Sequence, residues 1–152
     1  MKKDKKRKGD KTVFDTYFAG HDFAVPKILE ALEIGDDLYV VMEYAEGEDA
    51  RGCGAEDAAR IGKELGRIQS EYLGEGGHTK LSDWYFAEMI EDYWNTVKDR
   101  FPGSEEVYAF IEKRFFEAPH TLIHDDLLPL NALVDGEKVY ILDWETSGIV
   151  PY

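Results

Sequence analysis

The sequence predicts an α+β fold, in which short strands come before and after a helical middle region. Short apolar runs separated by tight-turn signals occur at residues 27–42 and again at 121–142, a pattern typical of β-hairpins. Between residues 58 and 115, apolar side chains recur at steps of three and four, as on one face of a helix. With 152 residues and 43% hydrophobic content, the chain is long enough to bury a sizeable core.

The first hairpin is predicted at residues 27–34 and 38–42, around the turn Gly35-Asp36-Asp37. Before it, the aromatic run TVFDTYFAG is predicted to end a helix that Gly20 closes. After it, the sequence VMEYAEGEDA leaves the strand pattern at Glu46-Gly47-Glu48 and predicts a loop.

Three helices are predicted in the middle of the chain. The first carries an apolar stripe from Ala58 to Tyr72 and closes near Gly74. The second has Ser82 as its predicted N-cap and extends to residue 97, and the third is predicted to be capped by Ser104 and to end before residue 119.

The stretch TLIHDDLLPLNALVDGEKVYILDWE places polar residues at the ends of predicted strands. An apolar run stops at His124, a loop with Asp126 follows, and a second run begins directly after Asn131. Asp135-Gly136 is a strong hairpin signal, so the return strand should deliver Asp143 close to Asn131.

These residue types suit phosphoryl transfer from ATP. Asp126 could orient an acceptor hydroxyl and accept its proton, and Asn131 and Asp143 offer the oxygen ligands that Mg²⁺ prefers. The spacing H-x-D-x-x-x-x-N, followed by a strand that ends in Asp, is the protein-kinase catalytic loop in outline.

The ending D-W-E after that spacing resembles the aminoglycoside phosphotransferase and choline kinase-like family of small-molecule kinases. The resemblance implies a protein-kinase-like fold, with a partial N-lobe and hinge at residues 12–45 and a C-lobe at 46–152. It implies ATP and Mg²⁺ as cofactors, a small-molecule hydroxyl acceptor, and a catalytic pair of Asp126 and His124. By the same resemblance, Glu43 would accept a hydrogen bond from adenine, Ala45 would donate one, and Met42 would line the pocket behind the base.

Several features of that family are not identifiable in the sequence. The Gly-rich phosphate loop, the strand Lys and the helix Glu that pairs with it have no counterpart, and the family continues into further helices where this sequence stops at Tyr152. Asp125 occupies a position where the family usually has Gly and choline kinases have Asn. The sequence therefore also predicts a poor catalyst, with exposed apolar faces that favour self-association.

Charge and cysteine content narrow the partners and the compartment. Residues 1–11 hold seven Lys or Arg residues, although the whole chain carries a formal net charge of −14. This basic tail is predicted to be disordered, and the acidic body argues against nucleic-acid or membrane partners while it is compatible with a cationic acceptor. Cys53 is the only cysteine, so no intrachain disulfide is possible. The N-terminus lacks the apolar core of a signal peptide, so the cytoplasm is the expected compartment.

Two other functions remain open at this stage. A kinase relic that binds a nucleotide or a partner without turnover is favoured by the absent Gly-rich loop and Lys. A metal-dependent HD phosphohydrolase is suggested by His124-Asp125, but that chemistry places its ligands on helices and this pair follows a strand.

Overall fold

In a computed structural model, the chain forms two compact units. The structure describes residues 2–4, 13–35, 37–100 and 102–152. The first unit combines Met1–Ile68 with His124–Ser147, and the second combines Gln69–Ile123 with Gly148–Tyr152. The first unit therefore contains both the N-terminal hairpin and the hairpin that carries the catalytic-loop motif.

The described strands are short and all pair antiparallel. In chain order they are β1 (Lys2–Asp4), β2 (Ile28–Ile34), β3 (Asp37–Met42), β4 (Glu48–Asp49), β5 (His120–Ile123), β6 (Ala132–Asp135), β7 (Lys138–Ile141) and β8 (Gly148–Pro151). The α-helices are α1 (Ala55–Glu71), α2 (Lys80–Tyr85), α3 (Asp92–Val97) and α4 (Ser104–Glu117). Wider or tighter helical turns lie at Phe14–Phe18, Ala50–Gly52, Phe86–Glu91, Lys98–Arg100 and Pro129–Asn131.

The predicted N-terminal hairpin is confirmed as β2 and β3. Its sheet has the order β1-β3-β2, and the core side is formed by Leu38 and Val40, which are almost completely buried. The turn residue Asp36 lies outside the described residues. Of the segment predicted to be a disordered tail, the structure describes only Lys2–Asp4, which forms strand β1 beside β3; residues 5–11 lie outside the described part.

The second sheet of the first unit has the order β4-β6-β7. The β6–β7 hairpin is confirmed, but its two turn residues are Gly136 and Glu137, because Asp135 pairs with Lys138. Gly136 has a positive φ of 56°, a conformation that glycine adopts at little steric cost. The turn thus lies one residue later than the sequence predicts, without changing the strand register.

Polar side chains of helix α1 bond to other segments of the first unit, to which residues 55–68 of the helix themselves belong. Glu64 accepts a hydrogen bond from the Ala24 N–H at 2.7 Å, and the Ala24 carbonyl accepts one from the Ile141 N–H at 2.8 Å. Arg60 donates to the Gly136 carbonyl at 2.5 Å, at the tip of the β6–β7 hairpin. The helix therefore supports both ends of strand β7.

In the second unit, the N-caps predicted for two helices are wrong. Thr79, and not Ser82, is the N-cap of α2: Thr79 Oγ1 accepts from the Ser82 N–H, and Ser82 Oγ accepts from the Thr79 N–H. This reciprocal capping box buries Ser82 completely. Likewise Gly103, with φ 77°, is the N-cap of α4, so Ser104 is its first helical residue. Gly74 does not close α1 but exchanges two backbone hydrogen bonds with His120.

The middle of the second unit is one interrupted helical segment, where the sequence predicts a single helix up to residue 97. A wide turn at Phe86–Glu91 separates α2 from α3, and Phe86 packs edge-on against Phe115 of α4 at 5.2 Å between ring centroids. Several large side chains of this unit stay exposed, among them Trp84, Met89, Tyr93 and Phe110. Within the described residues, no helix combines the length and the apolar character needed to cross a membrane.

Candidate nucleotide and phosphoryl-transfer site

A cavity of about 570 Å³ lies in the first unit and is walled mainly by apolar side chains. Its described apolar lining includes Phe14, Phe18, Val25, Met42, Leu133 and Trp144. Residues Glu43 to Ala45 line it as well, and Asn131 and Asp143 add polar groups. An apolar chamber with a few convergent polar groups is the usual form of a small-molecule site.

Strand pairing brings Asn131 and Asp143 together. The Leu142 N–H donates to the Asn131 carbonyl at 2.8 Å, which extends the β6–β7 ladder by one residue beyond Ala132 and Ile141. Asp143 follows Leu142 directly, and both predicted metal ligands line the same cavity. The alternating strand pattern of the sequence therefore predicts their proximity correctly.

Asn131 also contacts the predicted base. Its side-chain nitrogen donates to the Asp126 carbonyl at 2.8 Å and to the Asp126 carboxylate at 3.3 Å. Asn131 is buried, whereas Asp126 is exposed. Because the amide nitrogen bonds to Asp126, the amide oxygen of Asn131 is the one atom of this side chain that can act as an acceptor or a cation ligand.

His124 is placed inside the fold and not at its surface. Its Nε2–H donates to the Leu142 carbonyl at 2.7 Å, and its Nδ1 accepts from the Asp126 N–H at 3.3 Å. These two bonds require a neutral imidazole, and burial lowers the pKa of His124 below its usual value. His124 thus joins the loop of Asp126 to the strand before Asp143, which is a positioning geometry.

Two aspartates of the site have left-handed backbones, Asp125 with φ 66° and Asp143 with φ 64°. Glycine, and then Asn and Asp, adopt this conformation at the lowest cost. The turn at Asp125 therefore explains in physical terms why Gly or Asn suits this position. A strained backbone at Asp143 is the kind of feature that is retained where it aims a functional side chain.

The residues after β3 form a segment that we call the linker segment, Glu43 to Gly47. The Glu43 N–H donates to the Lys27 carbonyl at 2.8 Å, which continues the β2–β3 pairing at the open end of the hairpin. Among the described residues, no backbone hydrogen bond uses the Glu43 carbonyl or the Ala45 N–H. These two groups, which the resemblance assigns to adenine, are therefore available beside the cavity.

Sequence reasoning missed an aromatic part of this cavity. Phe18 packs edge-on against Trp144 at 4.9 Å between ring centroids, and Phe14 lies 6.3 Å from Phe18. Trp144 is buried, donates from its ring nitrogen to the Ile141 carbonyl at 3.0 Å and lies 4.5 Å from the His124 ring. The spacing of four between Phe14 and Phe18 signalled a shared helical face, but nothing local showed that this face meets Trp144.

The oxygen-bearing side chains of Asn131 and Asp143 fit a magnesium site whose other ligands come from a bound nucleotide and water. No group of three or more His, Cys, Asp or Glu side chains in the described part of the chain is arranged to hold a metal ion. Asn131 and Asp143 supply two oxygen-bearing side chains, and Mg²⁺ is commonly bound by one or two such ligands together with substrate phosphates and water. The residues present therefore suit an ion that arrives with a nucleotide better than a resident metal.

Three crystal structures of a thermostable mutant of aminoglycoside phosphotransferase APH(4)-Ia are similar to this chain. One is a ternary complex with ADP and hygromycin B, and two are ternary complexes with AMP-PNP and hygromycin B. The identities are 17%, 18% and 16%, and the TM-scores are 0.54, 0.54 and 0.55. Each match covers 93% of this chain but only 55 to 56% of the other chain, so the chain spans just over half the length of these proteins.

The fold is therefore the protein-kinase-like fold of the aminoglycoside phosphotransferases, as the catalytic-loop spacing predicts. No curated protein matches the sequence. The model of the phosphotransferase enzyme family matches residues 13–152, and the chain belongs to that family. Family membership confirms the resemblance drawn from His124, Asp126, Asn131 and the D-W-E ending.

Proposed function

We propose that the chain binds ATP together with Mg²⁺ and takes part in phosphoryl transfer to a hydroxyl of a small molecule. One observation carries this proposal: a single cavity is lined by Glu43 and Ala45 and also by Asn131 and Asp143. Hydrogen-bonding groups for a base and oxygen ligands for a phosphate-bound cation are thus arranged around one apolar chamber. The family and the ligands of the similar structures support the same class of reaction.

In this proposal the roles of the side chains follow from their contacts. Asn131 and Asp143 would hold the Mg²⁺, which, when bound, supplies positive charge to the triphosphate. Asp126 accepts the proton of the acceptor hydroxyl while that oxygen bonds to the terminal phosphorus and ADP leaves with the bridging oxygen. Asn131 fixes the orientation of Asp126, and His124 fixes the loop on which it stands.

The acceptor is proposed as a polyhydroxylated and cationic small molecule. Asp125 and Asp126 stand exposed beside each other, and the chain is strongly acidic, so positive groups on the acceptor would be attracted. Hygromycin B, bound in the similar structures, is an aminoglycoside.

Calorimetric titration with ATP, with and without Mg²⁺, tests the nucleotide site. Asp143→Ala should weaken ATP binding in the presence of Mg²⁺, because Asp143 is a proposed ligand of the metal. It should leave metal-free ATP binding nearly unchanged, because Asp143 is not expected to contact the base. Asp135→Ala, at the opposite end of the same hairpin, is the matched control and should change neither titration. Equal losses with and without Mg²⁺ after Asp143→Ala would refute the assignment of the metal ligand.

A second candidate function is a nucleotide-binding module with little or no turnover. It is favoured by the cavity lining, which contains no Lys or Arg among the described residues. Loss of one well-placed charge contact costs about 10²- to 10³-fold in rate. Acceptor-dependent ADP release that Asp126→Asn abolishes would support the kinase, and tight ATP binding without any ADP release would support the module.

A further inference from the structure

Gly47 is held in a position that only a glycine can occupy without displacement. Its φ is 140°, a conformation that residues with side chains rarely adopt. A Cβ atom on Gly47 would lie 2.8 Å from the Val134 carbonyl oxygen and 3.0 Å from the carbonyl carbon. Both contacts are with backbone, so no side-chain rotation can relieve them.

The chain immediately after Gly47 is also fixed to strand β6. Glu48 pairs with Val134 and Asp49 pairs with Leu133 in the β4–β6 ladder. Strand β6 begins directly after Asn131, and Leu133 lines the cavity together with Asn131. The end of the linker segment is therefore attached to the same strand that positions a proposed metal ligand.

We infer that Gly47 is the positioning residue that sets the base preference of the nucleotide site, because it fixes the Glu43 carbonyl and the Ala45 N–H relative to Asn131 and Asp143. This inference rests on the proposed nucleotide site. Ala45 lies two residues before Gly47, or about 7 Å along an extended chain, so a displacement at Gly47 moves the Ala45 N–H directly.

The chemistry of the two purines explains why this position governs selectivity. Adenine offers an N–H donor at its amino group and an acceptor at the neighbouring ring nitrogen, which match the Glu43 carbonyl and the Ala45 N–H. Guanine reverses the pair, with a carbonyl oxygen and a ring N–H at the corresponding places. A site whose polar groups are held rigidly rejects the reversed pattern, because mismatched groups stay unpaired.

The test compares Gly47→Ala with Gly54→Ala, a control glycine where an added Cβ meets no atom within 4 Å. Calorimetry in the presence of Mg²⁺ measures binding of ATP, GTP and inorganic tripolyphosphate to each chain. In Gly47→Ala we expect ATP binding to weaken about tenfold or more, which corresponds to the loss of one hydrogen bond to a buried group. We also expect the preference for ATP over GTP to become smaller. Tripolyphosphate, which has no base, should bind within about twofold of the unaltered chain.

The outcomes separate this inference from the proposed function. Failure of the unaltered chain to bind ATP refutes the nucleotide site, and the inference with it. ATP binding by the unaltered chain that Gly47→Ala leaves unchanged, or a parallel loss of ATP and tripolyphosphate binding, overturns the inference alone. Gly54→Ala should resemble the unaltered chain in every titration.

A measurement on the unaltered chain covers the case in which Gly47→Ala does not fold. Hydrogen exchange with and without ATP and Mg²⁺ should show slower exchange at Ala45 and also at Glu48 and Val134, since the linker segment and β6 move as one body. Tripolyphosphate should leave the Ala45 amide unprotected. Protection at Ala45 without any change at Glu48 and Val134 would overturn the inference.

Discussion

Replacement of Asn131 tests whether one amide both orients Asp126 and faces the cation. In the structure its nitrogen donates to the Asp126 carbonyl at 2.8 Å and lies 3.3 Å from a carboxylate oxygen of Asp126. Asn131→Ala removes the donor and the oxygen ligand together. Asn131→Asp keeps the oxygen ligand, removes the donor and places a second carboxylate where the nitrogen was.

The expected cost of Asn131→Ala to stability is modest. The Asp126 carbonyl also accepts from the Leu128 N–H at 2.9 Å, so it keeps a partner when Asn131 is truncated. Loss of one neutral hydrogen bond costs about 0.5 to 1.5 kcal/mol, and the small cavity that the truncated side chain leaves adds a little more. We therefore expect the free energy of unfolding to fall by about 1 to 2 kcal/mol.

Asn131→Asp should be the more damaging change at neutral pH. Two carboxylates about 3.3 Å apart repel by about 5 kcal/mol at an effective dielectric constant of 20, which is an upper limit because the exposed Asp126 can rotate away. A shared proton relieves this repulsion, so the difference between the Asp and Ala variants should narrow as the pH falls toward 4.

Urea unfolding at pH 7 and near pH 4 measures these differences, and calorimetry with ATP and Mg²⁺ measures the ligand role. Asn131→Ala should weaken magnesium-dependent binding, and Asn131→Asp should retain most of it. If Asn131→Asp is at least as stable as the unaltered chain at pH 7, the contact between Asn131 and Asp126 does not have the geometry on which this reasoning depends.

Three further changes test other parts of the site. Because burial lowers the pKa of His124 in the folded state, the unfolded chain takes up the proton first, and stability should be lost as the pH falls from about 6.5; His124→Gln should flatten that part of the pH dependence in thermal melts. At the left-handed position of Asp125, Asp125→Gly should be more stable than Asp125→Ala by about 1 kcal/mol in urea unfolding, and equal stabilities would count against the positive φ. Phe18→Ala should lower the free energy of unfolding by about 3 to 5 kcal/mol and weaken ATP binding, whereas Phe18→Leu should retain most of both; an unaffected Phe18→Ala chain would contradict the packing against Trp144.

The sequence alone was sufficient for the part of the site that local patterns encode. Alternating apolar residues on both sides of a Gly-containing turn specify the β6–β7 hairpin, and antiparallel pairing then places Asn131 beside the residue before Asp143. The spacing of His124, Asp126 and Asn131, together with the D-W-E ending, was enough to identify the family. These features depend on residues fewer than about 20 positions apart, whose arrangement follows from strand geometry and turn chemistry.

Only the tertiary structure decided which distant residues complete the site. Phe18 meets Trp144 across 126 positions of sequence, and Gly47 touches the Val134 backbone across 87. Local propensity carries no information about such partners, because a glycine in a loop and an aromatic residue on a helical turn have many uses. The same holds for His124, whose inward orientation follows from the Leu142 carbonyl that the return strand places beside it and whose lowered pKa follows from burial.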